Sequence, residues 1–283
     1  MSLRLVRLVT TPGDSVPRIR AVSARAPSTP ILALALLALL ALLALPALSG
    51  PAPGDDLPRG DCEAPLAATD LRHCDLRGRV LAGADLSGVR LDGVVLENGD
   101  LSGCRLRNAS LVKANLRWVK LAGSDLSGAD LREADLFHAT LDKANLAGAD
   151  LSRANLFGAN LNQVHGRAAN FTRAYLKDLL MEESDLPQAR FDQAFMFRAV
   201  LIGSRLTGTS IRQATLTGAA LEGTDFSGAD LSGSLLNGAY LDGALFRGAQ
   251  LKDARFVNAV PGGADFSGAL EMPEHLRALI HPD

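Results

Sequence analysis

From Leu71 to Phe256 every fifth position is Leu, Phe, Met or Ile, and Gly166 is the single exception among the 38 steps. Two residues before these the chain is small at all but Arg79 and Leu179, with Ala at 22 of the 38 steps, so large and small positions recur together as two layers of one core. An α-helix turns about 100° per residue, so a five-residue repeat would carry the Leu around every side and leave no apolar face. A continuous strand fails as well, because five is odd and successive Leu would point to opposite faces. The period therefore requires a chain that turns a corner every five residues. Four such segments close a square coil of about twenty residues, its Leu and small residues facing the axis and its coils stacking at the strand spacing of roughly 4.8 Å.

The polar positions agree with that geometry. Gly occupies 18 of the 38 sites two residues after the Leu, where a corner with positive φ favours it. Asp or Asn occupies 16 of the 38 sites just before the Leu, as in Ala84-Asp85-Leu86-Ser87-Gly88 and Ala144-Asn145-Leu146, where a short outward side chain can bond local backbone. A tandem Ala-(Asp/Asn)-Leu-x-x over about Ala64 to Ala269 resembles the pentapeptide-repeat family. The resemblance implies an all-β fold, a right-handed quadrilateral parallel β-helix. About ten coils at roughly 4.8 Å would give a length near 50 Å.

Open coil ends expose their Leu layer and an unpaired edge, so both need covers. Pro273 followed by Leu276, Leu279 and Ile280, with Met272 before it, predicts a short capping helix within 271–283. At the other end only 50–63 is available as linker and cap ahead of a repeat domain at 64–270.

Gly166 removes a core Leu, and Pro187 falls on the same side one coil later. That leaves a kink, a cavity or a ligand niche flanked by His165 and Arg167 as readings. Of seven outward aromatics, six share one side of the square: Trp118, Phe137, Phe157, Tyr175, Phe195 and Phe197. Phe137, Phe157 and Phe197 fall at equivalent positions with Lys177 in the gap, which predicts a column of rings. Six exposed rings would show more apolar surface than an isolated soluble protein usually carries, so they read as a surface for a protein partner or for self-association; a packing ladder is the alternative.

Composition sharpens this picture. Apolar residues make up 47% of the chain but aromatics only 5%, so Leu and Ala build the core and about half the aromatics stand outside it. The 29 Lys and Arg nearly balance 31 Asp and Glu, which argues against a strongly basic nucleic-acid binder. Some cytoplasmic members of the resembled family are thought to mimic DNA and occupy DNA gyrase. The outward Asp column suits that role, yet Arg72, Arg132, Arg153, Arg173 and Arg212 interrupt the negative field on one side.

Residues 1–49 read as an export signal or anchor, with five Arg against one Asp in the first thirty residues and an apolar run from Ile31 to Leu45. Small residues at Ala47 to Ser49 suit cleavage; uncleaved, 31–48 forms a hydrophobic helix close to the roughly 20 residues needed to span a bilayer. The repeat domain is thus expected outside the cytoplasm. Cys62 lies just before the first coil and within reach of Cys74, although spacing alone does not fix their pairing. No nucleotide loop, metal-ligand spacing or nucleophile motif occurs, and the five His are scattered, so no catalytic site, metal or cofactor is expected.

Overall fold

The computed structural model describes residues 57–280. The expected export segment, 1–49, lies outside them. From Asp70 onward every bridging residue pairs in parallel with the residue twenty positions on, from Asp70↔Arg90 to Gln250↔Leu270. Four five-residue segments therefore make one turn of the coil. Its sides take the names of their first core residues: the Leu71, Leu76, Leu81 and Leu86 sides.

Nearly every segment repeats one bonding scheme, the exceptions including Val164 and Ser184, whose N–H groups donate to the hydroxyls of Ser184 and Ser204. The core residue's N–H donates to the coil above, as in Leu111 to Asp130 O at 2.7 Å and Leu116 to Asp135 O at 2.7 Å. The residue before it donates to the coil below, as in Asp130 to Ala109 O at 2.9 Å. A turn then closes the corner, the small residue donating back to the core residue, as in Ala114 to Leu111 O at 3.0 Å. Backbone polarity is consumed between coils and within turns, while the Leu and Ala layers face the axis. The inward-facing Leu and Ala between Leu86 and Leu251 are almost wholly buried, and each enclosed Leu contributes roughly 1.5–3 kcal/mol. Where Phe replaces Leu the rings stack from coil to coil, Phe171 on Phe191 at 4.8 Å and Phe246 on Phe266 at 4.8 Å.

Glycine understates the corners. From Gly78 to Asn258 every residue two after the core position has positive φ, including non-glycines at 51° to 62°, among them Trp118, His138 and Arg153. Each L-residue there bears a conformational cost, which the bonds between coils outweigh, so the period imposes the corner even where the side chain disfavours it.

Gly166 forms neither cavity nor niche. A Cβ at that position would lie 2.8 Å from Leu186 Cδ2 and 3.2 Å from its Cγ, so the Leu of the next coil already occupies the space that a leucine at position 166 would fill. His165 and Arg167 remain exposed outside a closed core. The ligand-niche reading is thereby corrected: neighbouring packing has absorbed the missing volume.

The ends are covered. Residues 58–60 pair with the first coil, Gly60 donating to Asp70 O and Asp70 to Pro58 O. Arg79 binds Glu63 at 2.6 Å and that residue's carbonyl at 2.9 Å, holding the cap down. Cys62 and Cys74 are joined as a disulfide with their Cα atoms 5.5 Å apart. At the other end α1, Glu274–Ile280, buries Leu276, and Met272, Leu279 and Ile280 pack on the core. His275 Nε2 accepts the N–H of Phe256 at 3.0 Å, satisfying a donor of the last coils. Among the described residues no helix is long and apolar enough to cross a membrane.

The candidate binding face

The Leu76 side carries all six of its outward aromatics in one continuous ladder, in which Trp118 meets Phe137 edge-on at 5.5 Å and the other five rings stack. Phe137 and Phe157 lie parallel with centroids 5.4 Å apart, and Phe157 continues to Tyr175 at 6.2 Å. Tyr175 stacks on Phe195 at 5.3 Å, and Phe195 on Phe197 at 6.1 Å. The column therefore does not run straight from Phe157 to Phe197 past Lys177. It shifts across the side to the bridging positions of Tyr175 and Phe195, and Lys177 instead lies over the Phe157 ring at 5.4 Å. The shift arises because Tyr175 and Phe195 precede the core residue, whereas Phe137, Phe157 and Phe197 follow it.

His138 belongs to the same ladder, although nothing in its immediate sequence neighbours marks it out. Its ring stacks on the Trp118 indole at 4.5 Å and meets Phe137 edge-on at 4.4 Å. Gly158 makes this possible, since a Cβ there would lie 2.6 Å from the imidazole. The signal for it lies in the spacing: residues 118, 138 and 158 share one corner column, reading Trp, His, Gly.

Exposure is uneven along the ladder. Trp118 is 49%, Tyr175 41% and Phe195 37% exposed, whereas Phe137, Phe157 and Phe197 are half-buried between their neighbours. Cations rim the rings. Arg117 lies 4.2 Å from the Phe137 centroid while bonding Asp135, and Arg198 lies 5.5 Å from Phe197 while holding Asp178 with two nitrogens. The result is an apolar stripe with a charged margin, an arrangement suited to a partner's apolar anchors.

The outward carboxylates are largely committed elsewhere. Asp125 and Asp135 each accept the side-chain amide of the Asn one coil on, from Asn145 at 3.1 Å and Asn155 at 2.8 Å, and Asp150 does so from Asn170 at 3.0 Å. Many also accept the N–H two residues on, as Asp85 does from Ser87. Hydrogen bonds from Ser87 and Arg105 lower the Asp85 carboxyl to about 2, and those from Ser267 and Arg247 do the same for Asp265. At Asp192 burial acts to raise the pKa, but bonds from Arg212 and Ser210 outweigh it and the net shift is downward.

Other candidate groups are quiet. Cys104 is buried, its thiol donates to Leu81 O, and burial raises its pKa. His73 lies beside the Cys62–Cys74 pair, its Nε2 3.7 Å from Cys74 Sγ, and the three side chains form one cluster of metal-ligating type. With the two sulfurs bonded to each other, neither is a thiolate ligand.

Comparison with known proteins places this architecture. A family model for pentapeptide repeats matches in eight copies, over residues 63–98, 100–136, 134–165, 196–233, 224–260 and 234–270. No curated protein matches the chain. Among solved structures, the chain is similar to HetL, a pentapeptide repeat protein involved in heterocyst differentiation regulation from the cyanobacterium Nostoc sp. strain PCC 7120, with 33% identity over 72% of this chain and 90% of HetL and a TM-score of 0.42. It is also similar to full-length QnrB1, a plasmid-mediated fluoroquinolone resistance protein, with 17% identity over 71% of this chain and 95% of that one and a TM-score of 0.34. A pentapeptide repeat protein of the Arabidopsis thaliana thylakoid lumen shares 32% identity over 37% of this chain and 69% of its own, with a TM-score of 0.22. With its unbroken five-residue register, its twenty-residue coil and a family match over more than half its length, the chain belongs to the pentapeptide-repeat family and folds as a right-handed β-helix.

Proposed function

We propose that the protein is an exported, non-enzymatic scaffold that binds a protein partner, or a second copy of itself, through the aromatic stripe on the Leu76 side. The observation that carries this reading is the exposure of Trp118, Tyr175 and Phe195 along one unbroken ladder of ring contacts. The coil does not need these rings for its core, because the Leu and Ala layers beneath them are already sealed. Burying such anchors at an interface is worth about 2 kcal/mol or more each at hot spots. Residues 1–49 supply the export signal in this reading, or a membrane anchor if 31–48 is retained.

Mimicry of DNA on a cytoplasmic topoisomerase is the rival. The engagement of Asp125, Asp135 and Asp150 by neighbouring amides, with Arg107 on Asp125 and Arg117 on Asp135, weakens the negative column that this role needs. Fractionation with N-terminal sequencing of the mature chain separates the two: a processed, exported product supports the scaffold, and an unprocessed cytoplasmic one supports the rival. For the stripe itself, Trp118→Ser with Phe195→Ser should abolish self-association in light scattering or capture by the partner while circular dichroism is unchanged. Full retention of both would refute the assignment.

A further inference from the structure

A second surface lies on the Leu71 side. There a groove of about 820 Å³ runs along the coils between Arg132 and Asp253. Six cations line it against three carboxylates. Their engagement differs. Arg132 is held by Asp130 at 2.8 and 2.6 Å, and Arg212 by Asp192 at 3.2 and 3.0 Å. Arg173 gives only its Nε, to Gln193 Oε1 at 2.8 Å, so its terminal nitrogens remain available. The side chains of Arg153 and Lys252 make no hydrogen bond or ion pair among the described residues, and both are exposed.

The rest of the lining narrows the ligand. Ser152 presents a hydroxyl and Gln213 its amide nitrogen, while the hydroxyls of Thr172 and Ser232, which donate to Asn170 and Asp230, present acceptor oxygens along the same groove. No aromatic ring lines it, so bases would find no platform to stack on. No large aliphatic side chain lines it either, so a peptide's apolar residues would find no pocket. Guanidinium groups pair with planar anions through two parallel hydrogen bonds, and the hydroxyl oxygens and the Gln213 amide suit a ligand rich in hydroxyl groups. Arg153 and Arg173 stand on successive coils, roughly 4.8 Å apart along the axis, so the groove offers cations in series to an extended chain.

We infer that this groove binds a linear acidic polysaccharide, its carboxylates on Arg153, Arg173 and Lys252 and its hydroxyls on Ser152, Thr172, Ser232 and Gln213. The site is separate from the aromatic stripe and does not depend on it.

The test is titration of the full chain with polygalacturonate by calorimetry, beside dextran, polyglutamate and a single-stranded DNA of similar length. Polygalacturonate should bind tightest and dextran not at all, with affinity falling as salt rises. Arg153→Glu with Arg173→Glu should weaken binding about tenfold or more, from the loss of charge-assisted bonds. Lys252→Glu should weaken it independently, which covers the case in which the double variant unfolds. Lys143→Glu, on the Leu81 side, should leave it unchanged. Equal binding of dextran, tighter binding of polyglutamate or DNA, or indifference to both groove variants would overturn the inference.

Discussion

Replacing Gly166 by Leu restores the repeat's own consensus, yet the packing predicts that it destabilises the protein. Its φ is not positive, so backbone strain plays no part. The obstacle is volume: a Cβ alone would approach Leu186 Cδ2 to 2.8 Å, and Leu186 is fully buried with no room to retreat. Forcing extra methylenes into a filled core costs about 1–3 kcal/mol. Leu186→Ala removes the occupant and should cost about 2–5 kcal/mol by itself. Together the two changes exchange which coil supplies the side chain, so the double variant should be more stable than the sum of the single losses implies, by about 1–3 kcal/mol of coupling. Urea unfolding of the four proteins, followed by circular dichroism, measures this from the shift in midpoint at constant slope. A Gly166→Leu protein as stable as the parent or more so, or strictly additive losses, would refute the exchange of volume between coils.

Further outcomes follow from the ends and the ladders. Reducing the Cys62–Cys74 bond, which closes a separation of 12 residues, should lower stability by about 2–4 kcal/mol and release hydrogen exchange first around the 58–60 pairing; melting with and without dithiothreitol reads it. His275→Ala strips the acceptor from the Phe256 N–H and should cost about 1–3 kcal/mol, with faster exchange of that amide. Because the Asp70, Asp85 and Asp265 carboxyls sit near 2 when folded against 3.8 ordinarily, their stabilisation is complete above about pH 4 and is lost as pH falls towards 2; unfolding midpoints across that interval should decline, and a flat profile would exclude the effect. Cys104, buried and with its pKa raised, should resist alkylation by iodoacetamide until urea opens the coil.

The coil was legible because one constraint, the five-residue register, admits so few chain paths. Leu71 to Phe256 excludes helix and strand before any fold is named, and the bridges twenty residues apart are its direct consequence. Corner chemistry was only half visible, since Gly marks a left-handed corner but its absence does not forbid one; Trp118 and His138 take the same φ under compulsion from the bonds on either side. The Gly166 packing was hidden for a different reason. A repeat reading treats each side as a list of equal sites, whereas the volume at 166 is decided by how far Leu186 leans across from the next coil. The aromatic side was identifiable residue by residue, but its path was not, because a ring before the core residue and one after it both reach the same column. His138 joins only once Gly158 is recognised as its empty neighbour.

Site-specific photocrosslinking in the native cell most directly tests the aromatic stripe as a binding face. A photoreactive phenylalanine placed at Phe195, and in parallel at Tyr240 on the Leu81 side, compares two exposed aromatic positions on one molecule. The proposal predicts a discrete crosslinked product from position 195 that disappears with Trp118→Ser, and none from position 240. Equal crosslinking from both positions, or none from position 195 in cells where the protein is abundant, would contradict it.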